Sequence, residues 1–139
     1  MVKFRQKGNS AIDIKDIEEI EIFYNIELPI EYKENMIKHN GISPINEVYF
    51  KPNIWGDEIE LFYTLPIKKG TSTIETNNIL KDLSSYPKKH LIIGRTNTGG
   101  ISISFKHEEK GNIYVFYPDG EIHKIADSFS EFLEGLEEL

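Results

Sequence analysis

His90-Leu91-Ile92-Ile93-Gly94-Arg95-Thr96-Asn97-Thr98-Gly99-Gly100-Ile101-Ser102-Ile103-Ser104-Phe105, with Ile113-Tyr114-Val115-Phe116-Tyr117-Pro118-Asp119-Gly120-Glu121 a little further on, decides the fold. Residues 90–94 form a short apolar run of strand length. Ile101, Ile103 and Phe105 alternate with Ser102 and Ser104, the period-two pattern of a strand with one apolar and one wet face. Residues 113–117 are apolar on both faces, which suits a central strand covered on both sides. Pro118-Asp119-Gly120 is turn chemistry and predicts antiparallel pairing with a strand that starts near Glu121.

Outward toward the C-terminus the period changes. Ser128 and Glu131 stand three apart, the spacing of a capping box. They open a predicted last helix with Phe129, Phe132, Leu133, Leu136 and Leu139 on one face. Toward the N-terminus, residues 74–83 read as a helix with Ile79, Leu80 and Leu83 on one side, and Pro87 lies beyond it. Residues 48–50 and 58–63 read as strands, the second alternating carboxylates with apolar residues. Two helices precede them. Asp13 caps the first, Ile12 and Ile17 staple it, and Ile14, Ile17, Ile20 and Tyr24 form its stripe; Ile22 and Phe23 do not fit. Pro29 suits the first turn of the second, which carries Tyr32, Met36 and Ile37 and closes at Asn40-Gly41, with glycine at C′. Helices at both ends of an antiparallel run imply an α+β fold, a single domain with helices packed against the sheet. Residues 1–12 are expected to be a loose N-terminal segment and residues 13–139 the domain.

Composition excludes several functions. The 139 residues contain no cysteine, so disulfides, thiol nucleophiles and cysteine-ligated zinc are out. The formal net charge of −7 disfavours nucleic acid and anionic membrane and favours a basic partner. The N-terminus has no apolar run of signal type, and no stretch is long enough to span a bilayer, so the expected location is the cytoplasm.

The chemistry-bearing residues are scattered. His39, His90, His107 and His123 fall in different elements without metal-ligand spacing and read as surface or turn histidines, so no metal is expected. No GxSxG elbow accompanies the serines, and Ser102 and Ser104 read as the wet face of a strand. The loop 94–100 has glycines and hydroxyls that can cradle phosphate, and Arg95 can pair with an anion. It lacks the GK[ST] ending of a P-loop and lies between strands, so it reads as a hairpin loop. Trp55, beside Pro52, Asn53 and Gly56, is the aromatic best placed for exposure. With Asp57, Glu58 and Glu60 on a presumed strand edge it makes a plausible patch for a basic protein, since hot spots favour tryptophan and tyrosine. Glu18 and Glu19 on the first helix, and Glu131, Glu134 and Glu138 on the last, read as charged helix faces.

Leu28-Pro29 before a tyrosine-bearing helix, Asn40-Gly41, Trp55, Leu91-Ile92-Ile93-Gly94 with Gly99-Gly100, and Asp127-Ser128-Phe129 with Phe132-Leu133 occur in an order that resembles the SUKH superfamily. The resemblance runs from about Asp13 onward. That superfamily includes fungal cell-wall-synthesis regulators and bacterial immunity proteins. Two positions depart from it: Ile42 stands where a second glycine is common, and Ile101 where an acidic residue is common. The resemblance implies an α+β fold, no catalytic residues and no cofactor. In a bacterium it implies protection against a toxin, often a nuclease, through direct binding. The expected function is therefore an immunity protein that binds a cognate toxin domain, with Trp55, Asp57, Glu58 and Glu60 as the leading surface and Glu18 and Glu19 as a second. The alternatives are a regulatory or scaffold module and a small enzyme working through the loop 94–100.

Overall fold

The computed structural model describes residues 4–5, 12–50, 58–67, 73–83 and 86–138. β1 (Phe4–Arg5) pairs antiparallel with β2 (Ser43–Pro44) in a small separate sheet, and between them in sequence come α1 (Ile14–Tyr24) and α2 (Ile30–Lys38). β3 (Val48–Phe50) and β4 (Ile59–Thr64) precede α3 (Thr73–Leu80). Then come β5 (His90–Thr96), β6 (Gly100–Ser104), β7 (Ile113–Phe116), β8 (Ile122–Ala126), α4 (Phe129–Glu134) and β9 (Leu136–Glu138). The main sheet is antiparallel throughout, with strand order β8-β7-β6-β5-β4-β3-β9. The architecture is the expected α+β arrangement. Pro118-Asp119-Gly120 turns β7 into β8, and residues 97–99 turn β5 into β6, as read from the sequence.

One apolar cluster joins one side of the sheet to α1, α2 and α4. Ile17 and Ile20 enter it from α1, and Tyr32 and Met36 from α2. Asp13 caps α1 through a reciprocal capping box with Asp16, and the flanking Ile12 is buried. Ile14 departs from the expected stripe and is exposed. At the first helical position its Cα–Cβ bond leans back past the helix end. Ile37 is also exposed, because one residue beyond Met36 rotates the side chain about 100° off the buried line. Tyr32 and Phe129 meet edge to face at 5.1 Å and tie α2 to α4.

Several expectations need correcting. Pro29 is the N-cap of α2, one position before its first turn. The helix ends at Lys38 with His39 as its C-cap, so Gly41 stands beyond the C′ position. It still needs glycine, at φ +86°, in the bend that leads into β2. Asn40 is buried there, and its Oδ1 accepts the Ile67 N–H at 2.7 Å, fastening this bend to the chain after β4. α3 stops at Leu80, and Leu83 lies in the following turn, exposed.

The largest correction concerns the C-terminus. The last helix ends at Glu134, and residues 136–138 pair with β3 as an edge strand. Leu136 is buried as a strand residue, Leu133 is half-buried, and Glu138 belongs to the edge strand; Leu139 lies outside the described residues. Gly135 lets the turn between α4 and β9 pack closely on Phe50, since a Cβ there would stand 2.5 Å from that ring. Ser128 Oγ accepts the Glu131 N–H as expected, and the Glu31 carboxylate reaches across from α2. It accepts the Phe129 and Ser130 N–H groups at 3.0 Å each and the Ser130 hydroxyl at 2.7 Å.

The face carrying Ser102 and Ser104 is dry. Both serines are buried, as is His90, which is neither a surface nor a turn residue. His90 Nδ1 lies 2.8 Å from Ser102 Oγ, and Tyr114 packs on the His90 ring. Side chains from both neighbouring strands thus cover the serines. Next to them, the Asn77 side chain of α3 both accepts from and donates to the Ile92 backbone. It completes the edge of β5 where β4 has ended.

Candidate functional site: an acidic sheet face centred on a tyrosine

Alternation fixes which residues β3, β4 and β9 show to solvent. Val48, Phe50, Ile59, Leu61 and Leu136 point into the core, so Tyr49, Glu60 and Glu137 point away from it. The register places Tyr49 directly opposite Glu60 on β4 and opposite Glu137 on β9. Directly opposite residues share a face with Cβ atoms about 5 Å apart, so one tyrosine stands between two carboxylates in a single row. Tyr49 Oη donates to Glu47 Oε2 at 3.0 Å. Glu58, exposed two residues before Glu60, adds its charge on the same side.

The tyrosine registers this surrounding. Its hydroxyl pKa is raised above the ordinary value, first by the hydrogen bond to Glu47, then by desolvation, then by the charges of Glu47, Glu60 and Glu58. Among the described residues, no cation forms an ion pair with Glu47, Glu60 or Glu137. Exposed Phe62 and Tyr63 continue β4 beyond the row, past a register shift between Leu61 and Tyr63.

Of the sequence-derived patch, the structure places two residues on this face. Glu58 and Glu60 come together around Tyr49. Trp55 and Asp57 lie outside the described residues, in the 51–57 connection between β3 and β4. β4 is an interior strand flanked by β3 and β5, so the patch is a sheet face rather than a strand edge. Glu18 and Glu19 are exposed on α1, which packs on the core side, and they are not among the carboxylates acting on Tyr49. Tyr49, Glu47 and Glu137 share this face and were not among the sequence-derived candidates. The Val48-Tyr49-Phe50 alternation carried the signal for Tyr49, whereas Glu137 was hidden by reading the tail as helix.

The rest of the chemistry is sparse. His39, His107 and His123 stand apart, and among the described residues no group of three or more histidine or acidic side chains is placed to hold a metal. Among the same residues, no helix is long and apolar enough to cross a membrane. The loop between β5 and β6 is a hairpin bonded to β4: Asn97 Oδ1 accepts the Glu60 N–H at 3.0 Å, and Asn97 N–H donates to the Glu60 carbonyl.

Fold and face together define a class: a small α+β domain that presents an acidic, tyrosine-centred sheet surface. A family model described as SMI1 / KNR4 family (SUKH-1) matches residues 11–135, and the chain belongs to that family. The family includes bacterial immunity proteins and is generally a binding rather than a catalytic domain. No curated protein matches the chain. The two departures from the family pattern have a structural reason, since Ile42 and Ile101 are both buried in the apolar cluster.

Proposed function

We propose that this protein is an immunity protein that neutralises a cognate toxin domain by binding it through the sheet face around Tyr49. The row Glu137–Tyr49–Glu60, flanked by Glu47 and Glu58, is the observation that carries the reading. Exposed carboxylates steer a basic partner and raise its association rate, while an aromatic among them supplies area to desolvate on contact. Trp55 and Asp57, on the connection between the two strands that carry Tyr49 and Glu60, extend this surface in our reading. Glu18 and Glu19 act at longer range, by steering. The net charge of −7 fits a basic toxin such as a nuclease, and the protein would act in the cytoplasm without a cofactor.

The test is protection of cells that express the toxin domain encoded beside this chain's gene. Glu58→Lys, Glu60→Lys and Glu137→Lys combined should abolish protection and weaken binding by about a hundredfold or more, with the circular dichroism spectrum unchanged. Glu18→Lys with Glu19→Lys should mainly slow association and change its salt dependence. Full protection by the triple variant would refute the sheet-face interface.

A further inference from the structure

The β5–β6 hairpin, whose glycines and hydroxyls can meet an anion, borders a cleft outside the Glu137–Tyr49–Glu60 row. The cleft measures about 210 Å³ and opens between α3 and the strands β4, β5 and β7. Leu65, Leu80, Ile92 and Phe116 give it apolar walls, and Gly94 and Gly99 leave part of its surface without side chains. That bareness is enforced at Gly94, where a Cβ would stand 3.0 Å from the Tyr63 carbonyl oxygen and 2.9 Å from the Ile101 side chain.

Two polar groups interrupt the apolar wall. Arg95 is exposed at the cleft and, among the described residues, has no ion pair. Thr76, also a lining residue, carries a buried hydroxyl with no hydrogen-bond partner. Native interiors satisfy such groups almost always, so the orphaned Thr76 hydroxyl is open to a polar group entering the cleft. A threonine on a helix has two accessible χ1 wells, which lets the hydroxyl turn toward an incoming oxygen.

We propose that this cleft binds a small carboxylic acid with a compact apolar body. The carboxylate meets the Arg95 fork, and the body packs against Leu80 and Phe116. Size sets the scale: a dry cavity of about 150 Å³ accepts benzene, so this one accommodates a ring with a short chain. Charge sets the class. Among the described residues Arg95 is the one cation lining the cleft, and a guanidinium matches a single carboxylate bidentately.

The proposal stands apart from the toxin-binding reading and is tested without a toxin. The probes are 3-phenylpropionate and its neutral isostere 3-phenylpropanamide, titrated into the full chain and followed by amide chemical shifts. The acid should produce saturable shifts at Gly94, Arg95 and Gly99 and bind about tenfold or more tighter than the amide, as a charge-assisted pair implies. Arg95→Gln, an exposed substitution, should bring the acid down to the level of the amide. No saturable shift at millimolar acid, equal binding of acid and amide by the native chain, or a preference that survives Arg95→Gln would overturn it.

Discussion

His90 should make this protein lose stability on mild acidification. The ring is 1 % exposed, with Nδ1 against Ser102 Oγ and Nε2 buried without a partner. The arrangement that costs least puts the proton on Nδ1, donated to the serine, and leaves Nε2 as a bare lone pair. Adding the second proton would bury an N–H and a charge with nothing to receive either. Desolvation therefore lowers the His90 pKa to about 4, helped by the nearby Lys106 charge and opposed by Glu109. Unfolded, the same histidine titrates near 6.5. Between those values the unfolded chain holds a proton that the folded chain refuses, so stability rises with pH across that window. Its contribution is fully present above pH 6.5, falls as the pH drops, and stops falling below about 4, once the folded histidine also protonates. At about 1.4 kcal/mol per pH unit, roughly 3 kcal/mol is lost across the window. Urea unfolding of the native chain and of His90→Gln from pH 7.5 to 3.5 isolates this term, because the carboxylates and the other histidines cancel in the difference. The advantage of the native chain over the variant should shrink by about 3 kcal/mol on going down the window. A pH-independent difference, or a His90 imidazole that titrates near 6.5 by NMR, would refute the reasoning.

Glu31→Ala should cost about 2 kcal/mol in urea unfolding, since it removes a carboxylate that accepts two N–H groups at the start of α4 and ties that helix to α2. Glu31→Gln, keeping one acceptor oxygen, should recover part of that loss. Gly41→Ala should lower stability by roughly 1 kcal/mol because its φ of +86° strains any side chain; an unchanged midpoint would show that the bend can relax.

The fold was legible where one period ran uninterrupted. Ile101-Ser102-Ile103 and Ile113-Tyr114-Val115 could only be strands, and Asp13 and Ser128 announced their helices by their caps. What failed was exposure and direction. Alternation of isoleucine with serine names two faces but not which of them is wet, and here His90 and Tyr114 dry the serine face. The tail failed for a different reason. Phe129, Phe132, Leu133 and Leu136 satisfy a helical period, yet three residues of a helix and the first residue of an edge strand look the same when Gly135 sits unremarked between them. Long-range pairing with β3 decided that segment, and nothing local encodes it.

Correcting the tail changes how the acidic face should be weighed. Glutamates on an edge strand have an ordinary use: they discourage pairing with another chain's edge, and Glu137 and Glu138 on β9 serve that end whatever the protein binds. Edge protection does not account for Glu60, which sits on an interior strand where both neighbours are already paired. Nor does it account for Tyr49 between the two carboxylates. Cross-strand preference would place a β-branched or oppositely charged residue opposite Glu60, worth a few tenths of a kcal/mol to about 1 kcal/mol. Glu60 and Glu137 are two strand spacings apart, about 10 Å, near the Debye length in ordinary salt, so their mutual repulsion is small. The face therefore carries little penalty for the fold and little benefit to it. Because alternation locks Val48 and Phe50 inward, Tyr49 cannot leave the surface without unmaking the core beneath it. Among the described residues Glu60 and Glu137 form no ion pair, which fits the partner-binding role proposed for this face better than a role in stability.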